Sequence, residues 1–308
     1  MTCRLVNVHT YTPRGACGQT HLVCSYLPAC IAVCIMLGVI IPFYKLFIFG
    51  TVAPAAFDLS PKEHVPLWFF VLVLVGSFAA FGLLLTSYLR AVFTSPGFVD
   101  PALWRSKPVV VDEAPATHSE PAVSRVTRAG DLRYCSRCAL YKPDDAHHCS
   151  DCGRCVAKMD HHCPWINNCV GRDNEKFFLL FIVYVPVSAA YIIASIGMYY
   201  SISGTAPGFR RNHVGNFIIA LAAGTFGLVL GFFGLFHAHL IATSQTTLDH
   251  KFSTERQRHW SIRILTCNLP PARVIMERFA LVLGPDWRWW WLPVSPRLDH
   301  GAGKLTTV

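Results

Sequence analysis

Charged side chains disappear from four long windows of the chain: residues 21–44, 65–89, 177–203 and 214–245 hold no Lys, Arg, Asp or Glu. Polar residues return in blocks between them. About 20 mostly apolar residues let a helix cross the hydrocarbon core of a bilayer, and every window reaches that length. A backbone in lipid must satisfy its own hydrogen bonds, so each window predicts a helix. The expected fold class is therefore an all-α polytopic membrane protein with four transmembrane helices, at about residues 21–44, 66–89, 177–203 and 214–243. Pro28 and Pro42 mark kink positions in the first of these. In the fourth, Gly224, Gly227, Gly231 and Gly234 recur at spacings of three and four, which lets a neighbouring helix approach closely. The pattern excludes an ordinary soluble enzyme, a disordered chain and a small disulfide scaffold.

The polar blocks complete the organisation. Residues 1–92 hold an N-terminal segment and helices one and two. Residues 93–130 open on Ser95-Pro96-Gly97, carry Pro101, Pro108, Pro115 and Pro121, and read as a mobile linker. A Cys/His-rich module fills 131–176, helices three and four fill 177–245, and a tail fills 246–308. No internal repeat is expected. The first window is too long for the apolar core of a cleavable leader and is read as the first span and its own targeting signal.

Composition sharpens the topology. The 308 residues are 53% hydrophobic and 15% charged, against about 25% charged in soluble domains. The net charge is +9, and 22 of the 27 Lys and Arg fall in the N-terminal segment, the 93–176 stretch and the tail. The positive-inside rule then places both termini and the module in the cytosol. There the basic excess meets lipid headgroups and cytosolic phosphates; no nucleic acid is expected as a partner.

Seven of the 13 cysteines lie between Cys135 and Cys169. In a reducing compartment these are metal ligands or reactive thiols rather than disulfides. The run reads Cys135-x2-Cys138, His147-His148-Cys149-x2-Cys152-x2-Cys155, Asp160-His161-His162-Cys163-Pro164 and Cys169. Structural zinc takes four Cys or His ligands, and Cys-x2-Cys lets two sulfurs reach one ion. Two zinc ions need eight ligands, and six cysteines with two histidines supply them. His148 and Cys149 are adjacent and serve different ions, so the ligand sets interleave. One cysteine is then left over. A free thiol is only a few per cent ionised at neutral pH. A histidine in reach takes its proton, and a carboxylate fixes that histidine's tautomer. Asp160, His161 and Cys163 supply orienter, base and nucleophile. Spacing alone does not separate Cys163 from Cys169 as the free thiol, nor exclude that all seven are structural.

The string Asp160-His161-His162-Cys163-Pro164-Trp165, followed by Asn167-Asn168-Cys169-Val170-Gly171, resembles the signature of the DHHC-type protein S-acyltransferases (palmitoyltransferases). The motif-level likeness covers about residues 133–178, and the four-span arrangement around it is similar too. The resemblance implies one zinc on Cys135, Cys138, His148 and Cys155 and a second on Cys149, Cys152, His162 and Cys169. It implies Cys163 as the acylated nucleophile, His161 as its base, Asp160 as the partner of His161, and Thr247 as support for Asp160. Palmitoyl-CoA or another long-chain acyl-CoA is the implied co-substrate. The implied partners are the bilayer and proteins with membrane-proximal cysteines. Golgi and endoplasmic reticulum membranes lead as the location. The family's cavity floor maps to Ser188, a small residue that leaves room for long chains.

The chain departs from the family pattern in places. Ser95 replaces an aspartate, Asp144-Asp145 stand where a base is usual, Asp249 shortens an acid, and Arg278 replaces an asparagine in a tail motif that loosely matches 268–284. An acid at 145 is expected to weaken CoA phosphate binding, and Arg278 to weaken tail docking. Trp287-Arg288-Trp289-Trp290-Trp291 suits a membrane interface or packing on the module. Thr306-Thr307-Val308 fits a C-terminal PDZ-domain ligand. Cys3, Cys17 and Cys267 are expected to be spectators, and His237 and His239 to be interfacial or core-satisfied. Two other classes compete with the enzyme. An inactive zinc-stapled adaptor shares every feature but a reactive Cys163. A channel or transporter lacks support because the windows hold no intramembrane acid or base.

Overall fold

The computed structural model describes residues 18–57, 64–110, 121–127, 130–204, 211–248 and 270–296. Cys3, Cys17, Asp249, Cys267 and Thr306–Val308 lie outside the described residues. The chain divides into two compact units. One contains most of the long apolar helices, and the other gathers residues 90–176 with the described parts of 239–308.

The apolar windows form four helices long enough to span a membrane, so the protein is a multi-pass membrane protein. Helix α1 (Gly18–Pro42) does not stop where the uncharged window ends. It continues as a π-helix over Phe43–Val52 and a last turn, α2 (Ala53–Ala56). The span expected to end at residue 44 therefore runs to Ala56. Pro42 lacks an N–H and leaves a gap in the α ladder, as Pro28 does, and after Pro42 the chain goes on in the wider i→i+5 winding. Phe43, Phe47, Ile48 and Val52 are fully buried along this stretch. Helix α3 (Leu67–Phe93) forms the second span, α5 (Glu175–Ser203) the third and α6 (Arg211–Ala242) the fourth.

Within the helical unit the core joins Phe43, Phe47 and Val52 to Phe69, Val73 and Phe81 of α3, Ile192, Ile196 and Tyr199 of α5, and Ile219 and Ala223 of α6. The four glycines of α6 all face α5, as their spacing predicted. A Cβ on Gly227 would lie 2.6 Å from Ala189 Cβ, and one on Gly231 would lie 3.7 Å from Pro186 Cβ. Phe217 and Phe232 are 67% and 71% exposed. Large apolar side chains standing outward along such helices form a surface for lipid rather than water.

The second unit is built mostly of two-stranded sheets. After α3 the chain runs through Gly97–Val99, where Val99 N donates to Cys155 O at 2.9 Å and Ala157 N to Gly97 O at 2.8 Å. Helix α4 (Pro101–Trp104) follows. Strands β1 (Val109–Val110) and β2 (Ala122–Val123) pair in parallel. The described part of 93–130 is thus tied to the module instead of forming a free linker, by main-chain bonds at Gly97–Val99 and by the Asp144 and Asp145 side chains at Ser124 and Arg125. Three antiparallel hairpins make the module: β3–β4 (Tyr134–Cys135, Leu140–Tyr141), β5–β6 (His147–Cys149, Arg154–Val156) and β7–β8 (His161–Cys163, Asn168–Val170). Its cores are small and rich in cysteine, with Val99, Leu140 and Ala146 around Cys135 and Cys155, and Val156 and Met159 around Cys149 and Cys169. The tail adds helix α7 (Ala272–Leu283) and a short turn at Trp287–Trp289.

Candidate active site and metal centres

The three hairpins are copies of one another. Cys135 pairs with Leu140, Cys149 with Arg154 and Cys163 with Asn168; one level outward, His148 pairs with Cys155 and His162 with Cys169. Every pair repeats after 14 residues. So does the left-handed residue that closes each turn: Ala139 at φ 52°, Gly153 at φ 65° and Asn167 at φ 46°. The expectation of no internal repeat is therefore overturned. The period sits in the cysteines themselves (135, 149, 163 and 138, 152), and counting ligands rather than measuring their spacing hid it.

The repeat explains the ligand sets. Each knuckle is completed by the His and Cys of the next hairpin. Cys135 and Cys138 meet His148 and Cys155, while Cys149 and Cys152 meet His162 and Cys169, with the donor atoms of each group within 4.8 Å of one another. Donor separations include 3.6 and 3.2 Å from Cys135 and Cys138 Sγ to His148 Nδ1. In the second group, His162 Nδ1 lies 3.6, 3.5 and 3.6 Å from the three sulfurs. A tetrahedron with bonds of roughly 2.3 Å has edges near ~3.7 Å, so both tetrads fit zinc. The electrostatics agree. Hydrogen bonding to Cys149 and Cys152 pushes the Cys169 thiol far up, while Cys152 and Cys169 pull Cys149 far down. Thiols this close ionise together only around a cation.

The third hairpin begins a knuckle that, among the described residues, no fourth hairpin completes. Cys163 takes the place of Cys135 and Cys149, but Ile166, fully buried, stands where Cys138 and Cys152 stand. Cys163 belongs to neither tetrad. Its neighbour in the strand, His161, donates through Nδ1 to Asp160 Oδ2 at 2.6 Å. Cys163 follows two residues later on the same strand, β7, and its thiol helps to hold the imidazole charged. Asp160, 7% exposed, receives Thr247 N on Oδ1 at 2.6 Å and Thr247 Oγ1 on Oδ2 at 2.7 Å. Burial alone would raise the Asp160 carboxyl, but the bonds from His161 and Thr247 hold it below the ordinary value. Burial likewise opposes charge on His161, yet Asp160 and Cys163 raise its pKa to about 9.

Two asparagines anchor this strand. Asn168 Nδ2 donates to Thr94 O at 2.9 Å, and Asn174 holds Gly171 N at 2.9 Å and Cys169 O at 2.8 Å. Gly171 allows the close approach, since a Cβ there would lie 2.5 Å from Pro96 O and 2.7 Å from Val156 Cγ1. Sequence reasoning missed Asn174; its place just before a long apolar window, after a glycine, was the available signal.

The departures are absorbed locally. Asp144 accepts from Ser124 N and Oγ at 2.9 and 2.7 Å and from Arg125 N at 3.0 Å. Asp145 pairs with Arg125, so its charge is compensated. Arg278 donates to Ala242 O, so it holds the tail rather than releasing it. Ser188 and His237 lie buried in the helical unit, His237 beside the rings of Phe178 and Phe233.

The family model for DHHC palmitoyltransferases matches residues 128–253. The chain is 31% identical over 242 residues to the probable protein S-acyltransferase 16 of Arabidopsis thaliana, covering 74% of this chain and 78% of that one. It belongs to the DHHC palmitoyltransferase family. Palmitoyltransferase ZDHHC20 of Homo sapiens is 31% identical over 261 residues, covering 77% of this chain and 67% of its own. Palmitoyltransferase ZDHHC2 of Danio rerio is 37% identical over 184 residues, and the chain spans about half the length of such curated relatives: 59% of this chain against 49% of that one. The DHHC residues are Asp160, His161, His162 and Cys163; Asp160 and His161 are hydrogen-bonded to each other, His162 lies in a metal tetrad, and Cys163 lies in neither tetrad.

Proposed function

We propose that this DHHC protein transfers a long-chain acyl group from acyl-CoA through an acyl-Cys163 intermediate to cysteines of membrane-proximal substrate proteins. The observation that carries the reading is a thiol outside both metal tetrads, two residues along one strand from an imidazole held by a buried carboxylate. In the first step the Cys163 proton passes to His161, and the thiolate attacks the thioester carbon. The C–S bond to CoA breaks, and the departing sulfur takes the proton from His161. In the second step His161 takes the proton of the substrate cysteine, whose sulfur attacks acyl-Cys163 and releases the Cys163 thiol with that proton. A thioester is exchanged for a thioester each time, so no ATP is needed. Asp160 holds the imidazole and stabilises its charged form.

Zinc, bound by the two tetrads, would cross-link hairpins whose cores are too small to hold alone; the chemistry stays with Cys163. The bilayer contributes as solvent, because an acyl chain gains roughly 0.8 kcal/mol per CH₂ removed from water. The charge asymmetry supports a cytosolic module and tail, and membership of the family supports Golgi or endoplasmic reticulum membranes. Purified protein incubated with labelled palmitoyl-CoA should acquire a hydroxylamine-sensitive label, and Cys163→Ala should abolish it. Label that survives in the variant, or no label at all, would return the protein to the adaptor class.

A further inference from the structure

Away from the acyl-transfer residues, the C-terminal segment encloses a cavity of about 370 Å³ whose walls include Lys176, Gly284, Asp286, Trp289 and Ser295. Lys176 sets its chemistry. The residue is 2% exposed, and its ammonium donates to Trp289 O at 2.8 Å, a neutral acceptor. Among the described residues the nearby acids are engaged elsewhere: Glu175 with Lys158 Nζ at 2.6 Å and Asp286 with Arg288 Nη2 at 2.9 Å. A second cation reaches the same wall, where Arg90 Nη2 donates to Ser295 Oγ at 2.9 Å. A buried ammonium without an opposite charge is costly unless an anion completes it.

The place in the fold says where that anion comes from. Arg90 lies in the last turn of α3 and Lys176 is the second residue of α5. These are consecutive spans, so both cations stand at one face of the membrane, at the depth of the headgroups. Trp287, Trp289 and Trp291 are more than half exposed beside them, and indole rings favour this layer. A phosphate that is abundant at that depth is a lipid's.

We propose that this cavity binds an anionic phospholipid by its headgroup, with the phosphate on Lys176 and Arg90. None of its residues belongs to the acyl-transfer machinery, so the proposal stands or falls separately from that reading. The test uses the full chain, purified in a neutral detergent, with thermal unfolding followed during titration. Dioctanoyl phosphatidylglycerol should raise the midpoint saturably, because a ligand of the folded state stabilises it. Dioctanoyl phosphatidylcholine should not, and inorganic phosphate and CoA should each need at least about tenfold higher concentration. Lys176→Gln should weaken phosphatidylglycerol about tenfold or more, since a charge-assisted bond is lost. Ser295→Trp, which fills the cavity and keeps both cations, should weaken it similarly while the variant still carries two zinc ions. If Lys176→Gln does not fold, Ser295→Trp decides alone. Equal effects of the two lipids, unchanged binding by Ser295→Trp, or CoA acting at the phosphatidylglycerol concentration would each overturn the proposal.

Discussion

Thr247→Val isolates one bond at the proposed acylation site. Valine keeps the shape and the backbone N–H, which stays on Asp160 Oδ1 at 2.6 Å, but removes the hydroxyl that donates to Oδ2 at 2.7 Å. That same Oδ2 holds His161 Nδ1 at 2.6 Å, so the loss falls on the atom that orients the base. A hydrogen bond to a charged group contributes about 1.5–3 kcal/mol, which corresponds to roughly 10–150-fold in rate if it is felt wholly in the transition state. Asp160 retains two other donors, so the lower end, about tenfold, is expected. Rapid mixing with labelled palmitoyl-CoA would follow formation of acyl-Cys163. Its rate constant should fall while the half-saturating acyl-CoA concentration and the zinc content stay unchanged. Thr247→Ser should recover most of the rate. Acylation of the valine variant at the wild-type rate would refute the argument. So would a serine variant as slow as valine, because packing of the methyl group would then be the cause.

Other expectations follow from the same geometry. Chelation should remove two zinc ions per chain, measured by elemental analysis, and expose 131–176 to protease; a single ion per chain would contradict the paired tetrads. Gly171→Ala should destabilise the module by about 1–3 kcal/mol through overpacking, because the new Cβ meets the backbone oxygen of Pro96 at 2.5 Å; an unshifted melting temperature would show that the backbone yields freely. With serine at 188, stearoyl-CoA should be used as well as palmitoyl-CoA, and a sharp preference for myristoyl-CoA would show that another residue limits the cavity.

Much of this was legible in the residues. The four uncharged windows became four spans, since in lipid only composition and length decide, and the α6 glycines meet α5 as their spacing required. Ligand arithmetic gave two tetrads, but the reason Cys163 is spared lay in a 14-residue register that a tally of donors ignores. The π-winding after Pro42 depends on how Phe43 and Phe47 pack in three dimensions, and no periodicity in one chain segment reports that. Gly97–Val99 looked like linker because its ties are to residues far along the chain: main-chain bonds to Cys155 and Ala157, and burial of Val99 beside Cys135 and Leu140. Arg278 looked like a weaker tail dock than asparagine, yet its side chain donates to the carbonyl of Ala242.

The isoleucine in the third hairpin has a consequence of its own. The proposed nucleophile occupies a seat shaped twice before for a metal-bound sulfur, so its rigidity comes ready-made, and what keeps it reactive is a missing neighbour. Supplying that neighbour with Ile166→Cys should turn the hairpin into a scavenger of soft ions: excess zinc would then poison acylation in the variant and spare the parent. On the proposed chemistry, a hydrocarbon side chain at one position separates a scaffold from an enzyme.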